Sequence, residues 1–142
     1  MADAADTAGR EFGNAGRMLH GLAEALAYRW GQLIGRYSRW AVRPDRIQTA
    51  GVERLPPGPI IWANWHECNL LGGAINFHLY GADRCHTLVP PGLTGATMRG
   101  WVGETGFEPV ALPPDGSGNP TAALKQLSRA LSGGRRVVIA VD

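Results

Sequence analysis

In PPGPIIWANWHECNLLGG, Pro56 to Gly73, an apolar run ends abruptly in Asn64, Trp65, His66 and Glu67, with Asn69 close behind. Asn64, His66, Glu67 and Asn69 would crowd the carboxyl end of a strand, where open α/β sheets place their sites. An imidazole with a pKa near its ordinary value of about 6.5 takes a proton from a hydroxyl at neutral pH. The residues alone leave a second reading open, a hydrogen-bonded loop histidine that does no chemistry. His66, Cys68, Cys85 and His86 also offer four zinc-type ligands. Their His-x-Cys and adjacent Cys-His spacings fit poorly with sites that separate paired ligands by two residues or more, so no metal is expected. Nothing marks Cys68 as a lowered-pKa nucleophile.

A second candidate lies in DGSGNPTAAL. There, backbone N–H groups of Gly116, Ser117 and Gly118, with the following helix N-terminus, would cradle an anion; a plain surface loop is the alternative. Arg99 is a cation available to the same ligand. Trp62, Trp65 and Trp101 are either core residues or the walls of an apolar groove. Glu104 and Glu108 read as solvated, and Asp83 and Asp115 as turn residues.

These groups need a scaffold. A strand at Ile60 to Ala63 precedes a helix over Asn69–Tyr80, and CHTLVPP supplies a further strand. GATMRGWVGETG is a helix or loop, FEPVAL a strand, and Asn119–Pro120 the start of a helix with Leu124, Leu127 and Leu131 on its apolar face. Gly133 and Gly134 stop that helix before a last strand, Val137 to Val141. A weaker strand is expected around Arg46 to Thr49. The alternation implies an α/β fold, a mostly parallel sheet covered by helices.

In front lies a long helix from Phe12 to Val42, ended by Pro44. Leu19, Leu22, Leu26, Trp30, Leu33, Ile34, Tyr37, Trp40 and Ala41 share a stripe about 120° wide, flanked by Arg29 and Arg36. The stripe either docks on the sheet as core or lies in a membrane interface. The expected organisation is a disordered tail over 1–10, an amphipathic helical segment over 11–43 and an α/β domain over 44–142.

The 142 residues suit one domain, with 44% hydrophobic and 18% charged residues. A net charge of +2 without a base-reading motif argues against nucleic acid. The first ten residues are small and acidic, unlike a signal peptide, and two cysteines make no disulfide framework, so a cytoplasmic location is expected. No run of about 18 uncharged apolar residues would span a membrane.

The segment GVERLPPGPIIWANWHECNLL, with the later ALSGGRRVVIAVD, resembles the glycerolipid (lysophospholipid) acyltransferase family, over roughly residues 46 to 142. Its Trp-His pairing is closer to a bacterial branch in which the last strand continues as Asp-Gly-Pro-x-Gly-Pro. The resemblance implies that His66 is the general base that deprotonates an acceptor alcohol, which then attacks an acyl thioester. The donor would be acyl-CoA or acyl carrier protein, the acceptor a lipid hydroxyl, and no further cofactor is implied. Leu71 occupies the position of the aspartate that orients the histidine, so Glu67, Asn69 or Asp142 inherits that task. Leu112, Pro113 and Pro114 stand where the family offers a phosphate-binding arginine. Asn64, Asn69, Arg99, Gly116, Ser117, Gly118 and Asp142 are the expected substrate-side residues. The implied setting is peripheral, on the inner face of the cell membrane. The alternative is a catalytically inactive or truncated lipid-binding relative, the chain being expected to continue past Asp142 in its relatives.

Overall fold

The computed structural model describes residues 2–47, 58–65, 68–80, 85–113 and 120–141. Four strands form one all-parallel sheet: β1 (Ile61–Trp65), β2 (Cys85–Val89), β3 (Phe107–Ala111) and β4 (Arg136–Val141), in the order β1-β4-β2-β3. Between them run α2 (Asn69–Tyr80), α3 (Gly92–Glu104) and α4 (Thr121–Ser132), and ahead of them α1 (Ala2–Ala41). The α/β expectation therefore holds. The expected strand near Arg46 is instead a 3₁₀ turn at Pro44–Arg46, and residues 48–57 lie outside the described residues.

The order of the strands dictates where the helices sit. Connections β1 to β2 and β2 to β3 run one way across the sheet, so right-handed crossovers put α2 and α3 on the same face. Asn76 of α2 accepts a hydrogen bond from the Cys85 thiol, and Trp101 and Val102 of α3 pack on Cys85, Val89 and Phe107 of that face. The return from β3 to β4 carries α4 to the opposite face, where Ala123, Leu127 and Ala130 cover Val110 and Val137. The buried face of α4 thus centres on Leu127 flanked by alanines; Leu124, expected inside, is exposed. Small residues on either side of Leu127 let this helix lie close to the β-branched strand surface.

Helix α1 ends as expected, at Ala41, and departs from expectation in its start and in the face it docks. It begins at Ala2, so residues 2–10 are helical rather than a tail, in keeping with the helix propensity of Ala2, Ala4, Ala5 and Ala8. Its docked face is not the large apolar stripe. Gly31 and Gly35 are buried against α3, and Ile34 alone of the stripe packs on the core. A Cβ at Gly31 would lie 1.9 Å from the Thr97 carbonyl oxygen, and one at Gly100 would lie 2.1 Å from that of Tyr28. The two backbones approach as closely as only glycine permits. Leu19, Leu22, Leu26, Trp30, Leu33, Tyr37 and Trp40 consequently point away from the domain, Trp40 with 78% of its surface exposed. From Asn14 to Leu22 every residue is exposed. Among the described residues no helix is long and apolar enough to cross a membrane.

At its C-terminal end α1 is tied down by charge. Arg36 and Arg39 each meet a carboxylate oxygen of Glu104, at 3.1 and 3.2 Å, and Arg39 also stacks over Phe77. Glu104, expected in solvent, is instead largely enclosed by this clasp. The Arg39 carbonyl accepts a hydrogen bond from His78 Nε2 at 2.9 Å, the ring tautomer being set by that partner.

Candidate functional site

Strands alternate their side chains between faces, so β1 sends Trp62 and Asn64 toward α2 and α3, and Ile61, Ala63 and Trp65 the other way. Trp62 and Asn64 pair in register with Val138 and Ala140 of β4, and Val138 with Thr87 of β2. Together they form the floor of an apolar cleft of about 620 Å³, roofed by α2 and α3. That size is ordinary for a small-molecule site.

The cleft runs along the strands. At one end lie Asn64 and Asn69, with Pro90 and Leu112 just beyond β2 and β3; at the other lie Asn76, Trp101 and Phe107, beside the strand starts. The chain leaves β2 for α3 and β3 for α4 on opposite faces, which is the condition that opens a crevice outside the carboxyl ends of parallel strands. Helix α2 faces the cleft with Asn69, Gly72, Gly73 and Asn76, a helical stripe of small and amide side chains, and with Leu70 beside it. Its apolar Leu71 is exposed instead, and does not line the cleft.

The mouth is polar. Asn64 Nδ2 donates to Asn69 Oδ1 at 2.6 Å and lies 3.3 Å from the Trp65 carbonyl oxygen. This bond joins the end of β1 to the first residue of α2, across the segment that contains residues 66 and 67. Asn64 Oδ1 is buried with no hydrogen-bond partner among the described residues. At this end the structure brings together Asn64 and Asn69 of the expected set. Arg99 does not line the cleft; its Nη1 turns back to within 3.4 Å of where a Cβ on Gly95 would lie. His66, Glu67, Gly116, Ser117, Gly118 and Asp142 lie outside the described residues. Trp62 and Trp101 are groove walls, whereas Trp65 is exposed on the opposite face.

Asn76 and Thr87 are among the cleft residues that the sequence did not reveal. Asn76 sat in what read as a mostly apolar helix, yet only 1% of it is exposed, and Thr87 read as an ordinary strand residue. Asn76 falls seven residues after Asn69, two turns along the same face, and that spacing was the signal available. Cys85 and His86, which the zinc alternative needs as a pair, are neighbours on one strand and therefore face opposite sides of the sheet. Cys85 belongs to the core under α3, and Cys68 is a free, exposed thiol. The chain matches no family model, no curated protein and no solved structure.

Proposed function

We propose that this protein is an acyltransferase that moves a fatty acyl group from acyl-CoA or acyl carrier protein to a lipid hydroxyl, with His66 as general base. The observation that carries the reading is the cleft: walled mostly by apolar side chains, with the Asn64–Asn69 pair at the end where the strand that His66 follows finishes. An acyl chain gains about 0.8 kcal/mol for each methylene it removes from water in such a slot. The thioester carbonyl then sits at the mouth, and the Asn64–Asn69 bond braces the segment that contains the base.

In the step itself, the acceptor O–H gives its proton to the imidazole as the oxygen attacks the thioester carbon. The C–S bond then breaks, and the departing thiolate takes that proton from the imidazolium, which restores the base. A carboxylate that holds the imidazole tautomer makes this efficient. The register partners Trp65 and Val141 immediately precede His66 and Asp142 in the chain, which favours Asp142 for that task over Glu67.

The outward stripe of α1 supplies the membrane contact, on the cytoplasmic side, without crossing. Large apolar patches on a protein surface mark interaction sites. Here leucines, tryptophans and a tyrosine are bordered by Arg29 and Arg36, the composition that settles an interfacial helix among anionic headgroups. A water-insoluble acceptor is then met where it already resides.

The exposed Leu71, standing where the resemblance calls for an aspartate, favours a second reading, a protein that binds acyl chains without transferring them. One assay separates the two. The full chain is incubated with a radiolabelled acyl thioester and vesicles containing lipid alcohols. Label appearing in lipid above the enzyme-free blank supports transfer; retention of label by the protein with none in lipid supports the second reading.

A further inference from the structure

The end of the cleft beside the strand starts is not purely hydrocarbon. Asn76, 1% exposed, and Trp101, 8% exposed, both line it. Asn76 Oδ1 accepts a hydrogen bond from Cys85 Sγ at 3.4 Å, and Nδ2 is the end of the amide left over. Asn76 Nδ2 and Trp101 Nε1 are buried and have no hydrogen-bond partner among the described residues. The two donors belong to one neighbourhood. Gly73, one turn before Asn76, approaches so near that its Cβ would lie 3.0 Å from Trp101 Cζ2. A buried donor without a partner costs about 1–3 kcal/mol, so a site that keeps two of them is built for a ligand bearing an acceptor.

We infer that the acyl chain held in this cleft carries a hydroxyl or oxo oxygen toward its buried end, accepting hydrogen bonds from Asn76 Nδ2 and Trp101 Nε1. The inference rests on the acyl reading of the cleft and narrows it to oxygenated chains. Asn69 at the mouth and Asn76 are seven residues apart on α2, which sets the oxygen about 10 Å from the mouth. Substituents next to the carboxyl group are therefore too shallow to reach the donors, and those in the distal half are at the right depth. Discrimination follows from the chemistry of the site, because a plain chain leaves both donors buried and unpaired.

The test is calorimetric titration of the full chain with dodecanoic acid and its monohydroxylated isomers, repeated with Asn76→Leu and Trp101→Phe. The expected result is that an isomer hydroxylated in its distal half binds about tenfold more tightly than dodecanoic acid. In each variant that ratio falls toward one; Trp101→Phe keeps the ring, and circular dichroism certifies that each variant is folded. Equal affinity of the unaltered protein for dodecanoic acid and every isomer would overturn the inference and mean that water alone serves the two donors. Preference for the hydroxylated chain without any acyl transfer would leave the inference standing and remove the transferase reading alone. Binding of none of these acids would remove both.

Discussion

Asn64 and Asn69 are joined side chain to side chain at 2.6 Å, one at the end of a strand and the other at the start of a helix. The bond ties the end of β1 to the start of α2, on either side of the stretch of sequence that contains the proposed base. Asn69→Leu removes the acceptor and leaves the Asn64 amide only its 3.3 Å hydrogen bond from Nδ2 to the Trp65 carbonyl oxygen, Oδ1 already having no partner among the described residues. The expected cost is about 1 kcal/mol of stability by thermal denaturation, with a larger fall in acyl transfer than that loss explains. A stability loss with full activity would show that the bond is merely structural.

Glycines on α1 separate into two kinds. At Gly21 a methyl group meets nothing within 4 Å, whereas at Gly31 it meets the Thr97 carbonyl oxygen. Gly21→Ala is expected to stabilise the protein by up to about 1 kcal/mol through helix propensity. Gly31→Ala is expected to destabilise it by about 1–3 kcal/mol, because two backbones must separate. Chemical denaturation of both variants checks the pair, and the opposite signs are the point.

Glu104 holds two guanidinium groups. Glu104→Gln keeps the shape and loses the charge, leaving Arg36 and Arg39 facing one another's field. Because Arg36 is well exposed, the expected loss is modest, about 1 kcal/mol, and it shrinks as salt is raised. Denaturation midpoints at low and high ionic strength test this.

The outward stripe of α1 predicts membrane affinity independent of catalysis. Replacing Leu26 and Trp30 together with serine is expected to lower binding to anionic vesicles at least tenfold in a sedimentation assay, while circular dichroism stays that of the folded protein. Equal sedimentation of variant and parent would show that some other surface meets the lipid.

The strands and α2 were legible because their apolar runs are bounded by glycine, proline and asparagine, and because β4, packed on both faces, reads as a continuous apolar stretch. The periodicity of α1 revealed which residues share a face, yet not which way that face turns. What decides its orientation is a pair of glycines whose value lies in absent atoms: Gly31 and Gly35 look neutral in a sequence and become decisive only beside the α3 backbone. The same holds for Leu124, where the larger residue lost its place to Ala123 and Ala130 because a close helix–sheet approach favours small ones. At the site, Asn64 and Asn69 were visible as polar residues at a strand end. Asn76 was not, since a single amide in an apolar helix declares nothing until a cleft appears beside it.

Position 66 decides whether the protein transfers acyl groups as proposed. The measurement is the initial rate of acyl transfer from a radiolabelled thioester to a lipid alcohol, for the parent chain and for His66→Ala. A positioned general base contributes roughly 10²- to 10⁴-fold, so the variant is expected to fall by at least about 10² while vesicle binding is retained. Matching rates in the two proteins would contradict the account.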